Sequence, residues 1–172
     1  WSEGDISQLV PGTLPTHITQ LLREIRGLGS PALDKQDHFW LRRAAESDAH
    51  AMATEFGVEH DNTALVVESN VFRYKPLLEP LRVRVNPGAN PRDLLRLKLA
   101  SAATGTELDI TATHEVASSW GELGMGMRVA SDDDFAEEIE TTQSVRVRSL
   151  GVAPDSLYEA AAQSGSVILD QD

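Results

Sequence analysis

Arg82 and Arg84 alternate with valines in Leu81-Arg82-Val83-Arg84-Val85, and Arg146 and Arg148 do the same in Val145-Arg146-Val147-Arg148. A guanidinium is a planar fork of donors that seeks carboxylates and carbonyl oxygens. Strands covered by helices on both faces normally read as unbroken apolar runs. The interleaving therefore predicts one sheet face that carries guanidinium groups. That face is solvent-exposed, or paired internally with Asp132 to Asp134 or Glu137, or an interface with another domain. A second unusual stretch is Trp120-Gly121-Glu122-Leu123-Gly124-Met125-Gly126-Met127. Trp120, Leu123, Met125 and Met127 are too apolar for a free surface, while the glycines raise the entropic cost of ordering. Residues 117–129 thus read as a mobile loop or a flap that needs a covering partner.

Other chemistry is thinly represented. The turn Asn86-Pro87-Gly88-Ala89-Asn90-Pro91 follows a strand and opens a helix, the usual place for a phosphate. Pro87 and Pro91 offer no N–H, and Asp93 puts negative charge there, so an ordinary capped helix start is expected. Gly121, Gly124 and Gly126 reverse the dinucleotide spacing, and no strand leads straight into them. His17, His38, His50, His60 and His114 are scattered. Glu46 and His50 lie one helical turn apart, yet no second pair completes a metal site, and a solvated pair is expected. His60-Asp61 reads as a loop pair. No Gly-x-Ser-x-Gly elbow occurs. With no cysteine in the chain, disulfides, thiolate metal sites and thiolate nucleophiles are excluded. The expectation is no catalytic, cofactor or metal residue in this chain.

The elements that would position these residues fall into two blocks. Leu14, Ile18, Leu21, Leu22, Ile25 and Leu28 recur at helical spacing, and a second helix is predicted from Asp34 to Phe56. The period then changes. Ala64 to Val67 and Val71 to Tyr74 read as short extended segments. Strands are predicted at 81–85, 108–113, 144–149 and 167–169, with helices at 91–103, from Ser131, and at 155–163. Asn90 and Ser131 are read as N-caps. This alternation predicts a mostly parallel, Rossmann-like open sheet of α/β class with helices on its faces. The division is 1–60, an N-terminal helical segment, and 61–172, the α/β domain.

The 172 residues and 41% hydrophobic content suit one ordinary domain, and a net charge of −12 makes nucleic acid and anionic membranes poor partners. No apolar run reaches the roughly 18 residues needed to span a bilayer, and no signal peptide is visible. Such acidity is common among bacterial cytosolic proteins, so a cytoplasmic location is expected. The first residue is Trp1, and the expectation is a piece of something longer.

One segment carries a family resemblance. Glu68-Ser69-Asn70 with Arg73-Tyr74-Lys75-Pro76-Leu77, together with Trp40, Ala44-Ala45, Ser47-Asp48, Phe56-Gly57, the Leu81 to Val85 strand and Gly105-Thr106-Glu107, resembles the carboxy-terminal region of bifunctional proline-utilisation enzymes. Those enzymes join a flavin-dependent proline dehydrogenase to a glutamate-semialdehyde dehydrogenase (1-pyrroline-5-carboxylate dehydrogenase) of the aldehyde dehydrogenase superfamily. The resemblance spans 40–172 and implies a noncatalytic, aldehyde dehydrogenase-like Rossmann domain. Its implied role is to cover the catalytic modules of the same polypeptide and help seal the path of the channelled intermediate, with FAD and NAD held elsewhere in the parent. A second subunit is the other implied partner. In true aldehyde dehydrogenases a strand of this kind ends in Lys-Pro, whose lysine contacts the cofactor ribose. Here the matching pair is Asn86-Pro87, and the alternative, Lys75-Pro76, leads to another strand. The family's terminal tail is missing, so Asp172 reads as a truncation point. The other open reading is a small-ligand or nucleotide-binding α/β domain.

Overall fold

The alternating run at Leu81–Val85 becomes the central strand of an all-parallel, five-stranded open sheet. The structure is a computed structural model that describes residues 14–28, 33–58, 60–61, 71–72, 77, 79–124 and 126–170. Helix α1 is Thr16–Gly27 and α2 is Lys35–Ala51, the latter followed by a wider π-type turn at Met52–Phe56. Strands β1, His60–Asp61, and β2, Val71–Phe72, form a separate antiparallel pair, so His60-Asp61 is strand and not loop. Then come β3 (Leu81–Val85), α3 (Pro91–Thr104), β4 (Leu108–Ala112), α4 (His114–Ser119), β5 (Arg128–Val129), α5 (Asp132–Thr141), β6 (Arg146–Leu150), α6 (Asp155–Ser164) and β7 (Val167–Leu169).

The strand order is β5-β4-β3-β6-β7, every pair parallel. The chain winds outward from β3 in one direction, then returns across it and winds the other way. Right-handed crossovers require the two sets of helices to lie on opposite faces. They do: Leu94 of α3 packs on Val83 and Val85, whereas Phe135 and Ile139 of α5 and Leu157 of α6 pack on Val147. This is the doubly wound Rossmann-like arrangement.

The capping predicted from sequence is realised. The Asn90 side chain accepts from the Arg92 N–H, and Ser131 accepts from the Asp134 N–H. Gly105, at φ +73°, ends α3 in the left-handed conformation open to glycine without strain. Asp34 and Asp37 close a reciprocal capping box at the start of α2.

Helices α1 and α2 contribute no residue to the buried cluster around β3. They form a further layer on the outer side of α3, where Ile18, Ile25, Leu41 and Ala45 meet Leu95 and Leu99. Two polar links fasten α2 to α3: Arg96 grips Asp48 with both terminal nitrogens, and Arg92 donates to Asp37 while stacking 4.7 Å over the Trp40 ring.

Two short elements escaped the sequence reading, α4 and β5. A six-residue helix gives little periodicity to detect. A two-residue strand with both side chains exposed gives none. The segments Ala64 to Val67, Glu68 to Asn70 and Arg73 to Pro76 lie outside the described residues.

Candidate functional site

In an open parallel sheet, ligands bind beyond the carboxyl ends of the strands, where the winding direction reverses. Here that point lies between β3 and β6, so two loops frame it: Asn86 to Asn90 after β3, and Gly151 to Pro154 after β6. Both come from the sheet's most buried strands, and their geometry is fixed by hydrogen bonds. The Asn86 N–H donates to the Leu150 carbonyl at 2.8 Å, and the Val152 N–H donates to the Pro87 carbonyl at 3.3 Å. The Asn86 side chain, only 2% exposed, donates to the Ser149 hydroxyl at 2.9 Å.

Gly151 lets the loops approach this closely. It sits at φ +79°, and a Cβ there would lie 2.7 Å from both the Ala89 nitrogen and the Pro87 oxygen. The switch point is therefore filled by the chain's own backbone. The adjoining helix starts are equally unsuited to an anion. α3 begins with Pro91 and carries Asp93 in its first turn; α6 follows Pro154 and begins with Asp155. A phosphate would meet negative charge and few free N–H groups. The lysine that the resemblance would seek at the strand end is Asn86, and it is spent on Ser149.

The four arginines do not share a face, which corrects the expectation from their alternation. Register decides this: Arg82 stands opposite Val147, and Val83 stands opposite Arg148. Arg84 likewise stands opposite Ser149, so Arg82 and Arg84 share a side with Val147, whereas Arg148 shares a side with Val83. A one-residue offset sends the pairs to opposite sides of the sheet.

Arg82 and Arg84 lie under α5, and the internal pairing with the acidic helix start is realised there. Arg84, 1% exposed, donates both terminal nitrogens to the Ala130 carbonyl, pairs with Asp132, and stacks 5.0 Å over the Phe135 ring. Arg82 donates to Asp109 and Glu138. Arg128 joins the same carboxylates, and its hydrogen bond to Glu138, against some desolvation and with Asp109 assisting, holds its guanidinium above the usual value. Sequence reasoning missed this Arg82–Asp109–Arg128–Glu138 network, since Arg128 sits on the undetected β5. Arg146 and Arg148 lie on the other face, away from α5 and α6.

The chain itself covers Leu123 fully and Trp120 and Met127 in part. Leu123 is buried among α1, α2 and α3; Trp120 bridges that cluster and the sheet core; Met127 packs beside the sheet core. Leu123 is thus buried within the chain, while Trp120 and Met127 stay partly exposed and Val129 is 53% exposed. A turn at Gly121–Gly124 passes so close to α4 that a Cβ on Gly124 would lie 2.1 Å from the Ala117 carbonyl oxygen. Met125 lies outside the described residues.

The histidines stay dispersed. His17 donates to the Ala102 carbonyl, and Glu46 accepts from Arg42 instead of sharing a ligand with His50. Among the described residues no group of three or more His, Asp or Glu could hold a metal ion, and no helix is long and apolar enough to cross a membrane. A half-open apolar groove of about 270 Å³ lies between α1, α2 and α3, lined by Ile18, Ala45, Ala49, Met52 and Leu99 among others.

Comparison with protein-family models, with characterised proteins and with solved structures finds no match to this chain. The likeness to proline-utilisation enzymes therefore stands on the quoted residues. Of these, Trp40 and Asp48 have a structural task in joining α2 to α3.

Proposed function

We propose that this chain is a noncatalytic Rossmann-like module of a bifunctional proline-catabolic oxidoreductase, packed over the catalytic modules to help enclose the passage of the intermediate. The observation that carries the reading is the closed switch point. Gly151 and the Asn86 to Ala89 loop occupy the place where a doubly wound domain holds its nucleotide. The absence of any thiol to attack an aldehyde supports it, and so does the motif resemblance. In this reading FAD and NAD belong to the other modules, and the protein works in the cytoplasm.

Two measurements test it. Calorimetry with NAD, NADP and FAD is expected to give no binding to this chain; a 1:1 complex at micromolar affinity would overturn the reading. In a parent enzyme, deleting the module is expected to introduce a lag in NADH formation from proline while each half-reaction keeps its rate. An unchanged time course would equally refute it. A second reading, a small-ligand domain, is favoured by the apolar groove between α1, α2 and α3, and thermal shift with apolar ligands and proline analogues tests that.

A further inference from the structure

The geometry points to the open face of β6 and β7 as a docking surface for an acidic amphipathic helix of a partner. Arg146 stands beside Val167, and Arg148 beside Leu169, on the face opposite α5 and α6. On this side of the sheet α3 covers β3 and Leu150 at the end of β6, but among the described residues no helix covers the rest of β6 and β7: Val167 is 53% exposed, Leu169 40%, and Arg146 is exposed as well. Parallel sheets are covered by helices on both faces, so this strip, like the opposite edge at β5, departs from that rule.

Its width argues for a helix. Two strands set ~4.8 Å apart make a strip of about 10 Å, which is one helix diameter and one helix-to-helix spacing. A helix laid here would sit beside α3 as its next neighbour. The chemistry of the strip sets the rest. Val167 and Leu169 want an apolar stripe. Arg146 makes no hydrogen bond or ion pair among the described residues, and Arg148 spends one terminal nitrogen on the Asp170 carbonyl while its Nε stays buried without a partner. Carboxylates flanking the stripe would answer both arginines.

A second copy of this chain fits poorly. A two-fold contact through this strip sets arginine against arginine. The acidic α5 of another copy has already buried its apolar side, Phe135 and Ile139, against its own sheet. The chain's net charge of −12 opposes an acidic helix at long range, but exposed charges beyond ~10 Å are largely screened at 0.1 M salt, so the two arginines dominate at contact. The purpose of the dock rests on the packing-module reading above; the surface itself does not.

The test uses two stapled 18-residue helical peptides with the same leucine stripe, one flanked by Glu and one by Lys, titrated into the full chain while the Val167 and Leu169 methyl signals are followed. The Glu peptide is expected to bind about tenfold or more tighter than the Lys peptide, and to weaken with salt. Because Arg146 is exposed, Arg146→Glu is expected to keep the fold and reverse the preference. Equal affinities, methyl shifts confined to α1–α3, or a wild-type dimer dissolved by Leu169→Glu would each overturn the docking surface. Micromolar NAD binding would overturn the packing-module reading and leave the peptide preference standing.

Discussion

Arg84 shows how one residue can look like a surface group in sequence and serve as a core strut in the fold. Its partners differ in how much they depend on it. Asp132 is 41% exposed, so its carboxylate stays solvated when the arginine is lost. The Ala130 carbonyl loses both of its guanidinium donors. A buried acceptor left unpaired costs ~1–3 kcal/mol, and lost stacking on Phe135 adds to that. Arg84→Met is therefore expected to lower unfolding free energy by about 3 kcal/mol in urea titration, whereas Asp132→Ala should cost nearer 1. Equal effects of the two would mean that the ion pair, and not the carbonyl, is what matters. The existence of an acidic partner near Asp132 was legible in the sequence. The choice of Arg84 over Arg146 was not, because a strand's alternation says which residues share a side and nothing about which side that is.

At the scale of elements, the loops after β3 and β6 decide whether the fold retains a ligand crevice. Gly151 combines a left-handed backbone with contact distances that admit no side chain. A non-glycine residue in this region costs ~1–2 kcal/mol before any clash. Gly151→Ala is expected to cost about 3 kcal/mol in thermal or urea unfolding and to speed amide exchange at Asn86 and Val152, whose N–H groups stitch the loops together. Tolerance of the substitution, with exchange unchanged, would show that the loops can part and that the crevice is available. The β3-to-α3 turn was readable in advance from Asn90 and Pro91. The opposing β6-to-α6 loop was not, since nothing in the local sequence states that Gly151 will face Pro87.

Stability against pH is a property of the whole molecule, and two groups shape it above neutrality. Burial lowers the pKa of Lys98 from 10.5, so between the folded value and 10.5 the unfolded chain holds more protons and stability rises with pH. Tyr158 behaves oppositely. Its hydrogen bond to Asp170 raises its pKa above 10.0, so its contribution is present below 10.0 and is lost as pH climbs through the folded value. Lys98→Met isolates the first effect. The variant is expected to be more stable than wild type at pH 7 by about 0.5 kcal/mol, because solvent at a half-exposed ammonium screens most of the penalty, and the gap should close as pH approaches 10.5. Melting curves at pH 7 and 10 check this; a gap that widens with pH would contradict it.

Taken alone, the sequence determined the α/β class, the central strands, the long helices with their caps, and the exclusion of thiol chemistry. These follow from periodicity, from side chains acting within a few residues of themselves, and from composition. Tertiary structure alone decided the strand order, the faces to which the arginine pairs belong, the covering of Leu123, and in part of Trp120 and Met127, by α1 to α3 and the sheet core, and the closure of the switch point. Each of these depends on residues far apart in the chain: Arg82 meets Val147 through register, Gly151 meets Pro87 because β6 pairs directly beside β3, and crossover handedness sets which face each helix covers. Register and handedness belong to the assembled sheet, and no local pattern encodes them.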